Sequence, residues 1–238
     1  MEAVGKRVAV VTGGSQGLGL ALAEGLARDG WALVLDARRQ DRLDAAVARL
    51  EALTDVVAVP GDVTDPAHRA ALADAAARLG PVHLVVNNAS SLGASPLPAL
   101  LDIDPDAFRR VLDVNVVAPV ALLQQLSPQL AAGASVVNIT SDAGVEAYPG
   151  WGGYGASKAA LEHASRVLAE ERPDLRVLIV DPGDMRTEMH QDAYPGEDIS
   201  DRPDPEVSVP GIMALVAGDQ PGGRYQAREV LSPEGARP

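Results

Sequence analysis

Arg7-Val-Ala-Val-Val11 runs without a break into Thr12-Gly13-Gly14-Ser15-Gln16-Gly17-Leu18-Gly19, and this junction decides the fold. The apolar run has the length and β-branched content of a buried strand. Helical spacing begins at once with Leu18, Leu22 and Leu26, and Gly30 stands where that helix should stop. A strand that turns through glycine into a helix amino terminus offers free N–H groups to an anion, and glycine lets the backbone approach it closely. A tight turn alone can also require glycine, so the rest of the chain has to decide between the two roles.

Outward from this junction, short Val/Leu/Ile-rich runs alternate with longer alanine-rich amphipathic stretches. Strands are expected near 7–12, 32–36, 56–59, 82–86, 134–139 and 175–181, with a weaker one near 224–228. Helices are expected near 18–29, 41–53, 66–79, 105–131, 152–172 and 206–217. This is the pattern of an α/β fold, a doubly wound parallel sheet of about seven strands with helices on both faces. Residues 1–238 are read as a single domain, since no composition shift or repeat divides them. Gly13, Asp62, Asn87, Ser141 and Pro182 each follow a predicted strand, where open α/β sheets bind their ligands. Taken singly, each has a plain alternative: a turn glycine, a helix-capping Asp62, a turn-forming Asn87.

The chain has two lysines among its 20 cationic Lys and Arg residues, and one of them, Lys158, lies four residues after Tyr154. On a helix that spacing stacks the two side chains on one face. A phenol that exchanges a proton near neutrality needs its pKa of about 10 lowered by roughly two to three units, about 3–4 kcal/mol. An ammonium ~4 Å away in an effective dielectric of ~20 supplies about 4 kcal/mol. A helix-surface pair without chemistry is the plain alternative.

These segments together resemble the short-chain dehydrogenase/reductase family. Thr12-Gly-x-x-x-Gly17-x-Gly19 is similar to its nucleotide motif, Asn87-Asn88-Ala89-Ser90 to its Asn-Asn-Ala-Gly segment with Ser90 in place of glycine, and Asn115, Ser141, Tyr154 and Lys158 to its catalytic tetrad. Pro182-Gly183 and Thr187 match the stretch that contacts nicotinamide. The similarity covers roughly residues 5–190. It implies hydride transfer between a nicotinamide cofactor and a carbonyl or secondary alcohol, with Tyr154 as general acid or base. Ser141 would hold the substrate oxygen, Lys158 would lower the phenol's pKa and bond the ribose, and Asn115 would interrupt its helix and hold a proton-relaying water. The cofactor is expected along Gly13, Ser15, Gln16, Gly17, Leu18, Gly19, Asp62, Val63, Asn88, Ala89, Tyr154, Lys158, Pro182, Gly183 and Thr187. No metal is expected, because the four histidines show no ligand spacing.

The second strand ends Asp36-Ala37-Arg38-Arg39, offering an acid that can accept from a free ribose hydroxyl and arginines that can take a 2′-phosphate. Alignment by the hydrophobic run puts Ala37 where relatives using NAD usually have aspartate and Arg38 where relatives using NADP often have arginine. Gln16 argues the other way, standing where relatives using NADP frequently carry a basic residue. NADP is favoured over NAD, because guanidinium matches phosphate in a bidentate manner. Arg38 and Arg39 can also be a solvated helix entrance.

A net charge of −13 disfavours nucleic acid, whose non-specific binding depends on cationic side chains. No uninterrupted apolar run approaches the ~20 residues of a membrane span, and no secretory signal is expected ahead of the first strand. With no cysteine, a cytoplasmic location is expected. Residues 184–205, rich in Asp, Glu, Pro and Gly, are expected to form a mobile substrate loop, with Trp151, Met185, Met189, His190 and Tyr194 as candidate pocket residues. The resemblance implies a homodimer or homotetramer through helices 105–131 and 152–172. Pro210 is expected to interrupt the last helix pattern. The competing reading is a catalytically silent dinucleotide-binding regulator of the same fold.

Overall fold

The computed structural model describes residues 6–231; the ends of the expected 1–238 unit, 1–5 and 232–238, lie outside the described residues. In chain order it places β1 (Val8–Val11), α1 (Gly17–Arg28), β2 (Ala32–Ala37), α2 (Gln40–Leu50), β3 (Val56–Pro60), α3 (Pro66–Leu79) and β4 (Val82–Asn87). After these come α4 (Pro105–Leu112), α5 (Ala118–Leu126), β5 (Leu130–Ile139), α6 (Gly152–Glu171), β6 (Arg176–Asp181), α7 (Glu188–Ala193), α8 (Val209–Ala217) and β7 (Gly223–Gln226). The seven strands form one parallel sheet in the order β3-β2-β1-β4-β5-β6-β7. The order reverses between β1 and β4, and that reversal opens a crevice at the carboxyl ends of the strands.

Alternation along each strand explains the layers. Ala9, Val11, Leu33, Leu35, Leu84 and Val86 face one side and pack with Leu18, Leu22 and Leu26 of α1 and with Ile212 and Leu215 of α8. Val8, Val10, Val34 and Val85 face the other side, against Leu72 and Ala76 of α3 and Leu122 and Leu126 of α5. Burial on both faces is why the parallel strands read as unbroken apolar runs.

Two expectations are corrected, and a third segment is described. The long helix of the expected 105–131 ends sooner, because Pro128 sits in a tight turn at Ser127–Gln129, and β5 starts at Leu130 rather than at 134. Pro210 does not break a helix: it lies in the first turn of α8, where a missing N–H costs nothing. The 184–205 segment contains α7, capped by Thr187, and is tied back by Arg186 N–H to Pro203 C=O at 2.8 Å and by Ser95 Oγ to Asp192 C=O at 2.6 Å. The continuous helical stretch Pro105–Gln129 is long and apolar enough by composition to cross a membrane, with a mean hydropathy of 1.2. In this fold it packs beside α3 and α6, which accounts for its apolar side chains.

Candidate active site

A groove of about 1140 Å³ runs along the carboxyl ends of the strands, from the glycine turn to Tyr154. Gly13 holds a left-handed φ of +67°, and a Cβ on Gly19 would lie 2.2 Å from the Gly13 carbonyl oxygen. Helix α1 therefore rests directly on the turn, with its first N–H groups at the groove. Gln16, at the helix cap position, makes no side-chain capping bond to those groups. Thr12 joins the two strands at the reversal: its hydroxyl accepts from the N–H groups of Asn88 and Ala89, both at 3.0 Å. The Asn88 amide returns a bond to the Thr12 carbonyl at 2.9 Å.

At the glycine-turn end, Asp36 differs from the expected ribose acceptor. It lines the groove but is 1% exposed, and both oxygens are engaged, Oδ1 by Gly13 N–H at 2.6 Å and Oδ2 by His68 Nε2 at 3.0 Å. Burial pushes its carboxyl above the usual range against the pull of those bonds. Arg39 pairs with Asp41 at 2.7 Å at the exposed entrance of α2. Arg38 reaches the groove and attracts Asp62 electrostatically. Asp62 does not cap α3, a role taken by Asp65 through Ala67 N–H. Burial works against the Asp62 carboxylate, but the N–H and hydroxyl of Thr64 outweigh it and hold its pKa below the usual range. The Val63 carbonyl accepts from Arg69 at 2.6 Å.

At the other end, α6 turns a polar stripe into the protein: Tyr154, Lys158, Glu162 and Ser165 are all buried. The Lys158 ammonium lies 5.3 Å from the centre of the Tyr154 ring and donates to the Ile139 carbonyl at 2.9 Å. Burial lowers its pKa to about 8. The expected lowering of the phenol is reversed. Burial pushes Tyr154 well above its ordinary value, Asp181 and Asp142 push the same way, and hydrogen bonds with Ser90 and Ser141 only partly oppose them. Ser141 lies two residues beyond β5, caps the short turn Asp142–Gly144 and donates to Asp142 at 2.8 Å. Asn115 sits in a wide π-type turn, Asp113–Val117, between α4 and α5. Its amide donates to Ser91 C=O and to Ser157 Oγ, both at 2.9 Å, and its oxygen accepts from Ser91 N–H at 2.8 Å. It thus ties the segment after β4 to α6, while its neighbour Val114 lines the groove. Gly183, with φ +72°, bonds Asp181 at 2.9 Å, and the Thr187 methyl stands 3.5 Å from where a Gly17 Cβ would be. Trp151 packs edge-on to Tyr154 with ring centres 5.6 Å apart, and Tyr194 and His190 continue that wall.

The family described as short chain dehydrogenase matches residues 7–198. The chain belongs to this family. Tropinone reductase-like 3 from Erythroxylum coca is 35% identical over 81% of this chain and 75% of its own length. An uncharacterized oxidoreductase from Methylorubrum extorquens is 32% identical over 96% of both chains. Among solved structures, an alcohol dehydrogenase from Thermococcus sibiricus complexed with 5-hydroxy-NADP superposes with a TM-score of 0.84 at 28% identity, over 93% of this chain and 95% of that one. As a short-chain dehydrogenase the protein is an oxidoreductase with a Rossmann-type sheet.

Sequence reasoning did not single out Ser90, Asp142, Asp181 or Arg42. Ser90 was visible only as a departure from glycine, yet it bonds both Asn115, at 3.2 Å, and Tyr154. Arg42 bridges Gln16 of the glycine turn and Glu188 of α7, a contact across 146 residues that local spacing could not announce.

Proposed function

We propose that the protein transfers hydride between a nicotinamide dinucleotide, NADP in preference to NAD, and a carbonyl or secondary alcohol of modest size. The observation that carries this is the convergence of Tyr154, Ser141 and Lys158 inside a groove that starts at the glycine turn. The residues fit the cofactor: the turn and the first N–H groups of α1 form a cradle for a pyrophosphate, and a Cβ on Gly19 would push α1 off the Gly13 carbonyl that sets the cradle's depth. Gly13, Ser15, Gln16, Gly17, Leu18 and Gly19 would hold the phosphates, Asp62, Val63 and Arg38 the adenosine side, and Asn88, Ala89, Pro182, Gly183 and Thr187 the nicotinamide side. When bound, the cofactor supplies or accepts the hydride.

The chain's residues handle the proton. In reduction, Tyr154, kept protonated by burial, gives its proton to the carbonyl oxygen as that oxygen gains charge. Ser141 turns its hydroxyl from Asp142 to the same oxygen, and a donor placed there is worth a few kcal/mol in the transition state. Lys158, its ammonium 5.3 Å from the ring centre and its pKa lowered to about 8 by burial, would stabilise the phenolate left behind and help return a proton to it. Asn115 fixes the 88–91 segment and α6 relative to each other. Residues 184–205 would close over the substrate, with Trp151, Met185, Met189 and His190 lining the groove and Tyr194 packed against Trp151 and His190. Exposed Val117, Val120 and Val167 on α5, α6 and the turn before α5 support a homo-oligomer through these helices. A cytoplasmic site of action accords with the absence of cysteine.

The test is a panel of aldehydes, ketones and secondary alcohols, followed by reduced-nicotinamide absorbance with each dinucleotide. Turnover lost in Tyr154→Phe supports the assignment; dinucleotide binding without turnover across a broad panel supports the silent regulator instead.

A further inference from the structure

We propose that Arg224 of β7 is a positioning residue that holds the Ser141 hydroxyl in line with Tyr154. Ser141 and Tyr154 serve one substrate oxygen from different elements, the turn after β5 and helix α6, so their separation has to be set by groups that span both. Arg224 stands on neither element. It lies beside Ile179 in the β6–β7 register, and its guanidinium meets both the carbonyl of Ser141 and a side chain of α6.

The bridge consists of named bonds. Arg224 Nε donates to Glu162 Oε1 at 3.0 Å, and its Nη2 donates to Asp181 Oδ2 at 3.2 Å and to the Ser141 carbonyl at 3.4 Å. Glu162 follows Lys158 by one turn of α6, and the oxygen that takes Arg224 also takes the Thr140 hydroxyl at 2.8 Å. Its second oxygen meets Arg166 at 2.8 Å, and Asp181 Oδ1 takes Gly183 N–H at 2.9 Å. With Lys158 on the Ile139 carbonyl at 2.9 Å, three successive residues, Ile139, Thr140 and Ser141, are tied to the helix that carries Tyr154. Glu162 and Asp181 are 2% and 6% exposed, against 22% for Arg224. Apolar side chains often fill such a space at no loss of stability; what the planar, forked guanidinium adds is direction. Arg224 does not line the groove and acts through Ser141.

The inference rests on the hydride-transfer reading and deepens it. The experiment measures kcat with reduced dinucleotide and the aldehyde or ketone that the native protein reduces fastest, in Arg224→Met, Ser141→Ala and the double variant. Melting curves establish that each variant is folded. Arg224→Met should lower kcat about tenfold, the order expected when a donor is misplaced by a fraction of an ångström, and leave the dinucleotide Kd within about twofold. In the Ser141→Ala background the same change should lower kcat less than about twofold, because the hydroxyl it positions is gone. If Arg224→Met does not fold, Arg224→Lys, which keeps a cation between the two acids without the fork, decides by the same comparison. Equal losses in the two backgrounds, or a native-like kcat in Arg224→Met, overturn the inference and leave hydride transfer standing. A native protein that reduces no carbonyl compound overturns both.

Discussion

The two ends of the groove solve the same problem, charge at the edge of a buried sheet, in opposite ways. At the glycine turn, Asp36 keeps its place by taking hydrogen bonds from Gly13 and His68, and the polar groups are satisfied before any ligand arrives. At Tyr154, burial drives both titratable groups toward their neutral forms, the phenol up and the lysine down to about 8. The difference teaches that one end is built to be fixed, while the other keeps its phenol protonated beside an ammonium whose proton burial has loosened.

The sharpest break of this comparison is Tyr154→Phe. It should lower turnover by about 10³-fold while leaving dinucleotide Kd within about twofold, because only the proton donor is removed. A large loss of cofactor affinity in that variant would erase the distinction between the ends. Gly19→Ala attacks the other end. Its Cβ would meet the Gly13 carbonyl at 2.2 Å, so the helix must shift off the turn. A stability loss of about 3 kcal/mol is expected in denaturant melts, together with weaker dinucleotide binding.

Lys158 sharpens the comparison through pH. Its pKa falls from 10.5 to about 8 on folding, so between these values the unfolded chain binds more protons and native stability should rise with pH. Tyr154, raised above 10, favours the folded state below that pH and loses its contribution above it, so the gain is cleanest from pH 8 to 10. Denaturant midpoints of the native protein minus those of Lys158→Met should show the rise; parallel curves would contradict it. Arg224→Met should cost about 2 kcal/mol, since its guanidinium bonds Glu162 at 3.0 Å and Asp181 at 3.2 Å behind Ser141. Arg39→Ala, which breaks only an exposed pair with Asp41, should leave the denaturant midpoint unchanged within error.

The fold was largely legible in the residues, because strands buried on both faces, such as Val8–Val11 and Arg176–Asp181, carry runs that no surface element would show. The glycine turn and the Tyr154–Lys158 spacing were legible for the same reason: each is local. What escaped was long-range. The Asp36–His68 pair joins residues 32 positions apart, and its dependence on Gly61 appears only once β2 and β3 are in register. The direction of the phenol's shift escaped too. A helical spacing places the ammonium near the ring, but whether it outweighs burial depends on Asp142 and Asp181, brought in from separate segments. Glu162 and Ser165 were equally hidden, since an amphipathic pattern assigns polar side chains to solvent, whereas here they bond Thr140 and Asn138 within the protein.

The central claim, that Lys158 sits buried beside Tyr154 with a loosely held proton, has a direct measurement because the chain has just two lysines. Protein carrying ¹³Cε-lysine should show two resonances, and the one that vanishes in Lys158→Arg should titrate with a midpoint near pH 8. A Lys158 resonance that titrates at or above pH 10 would contradict the account.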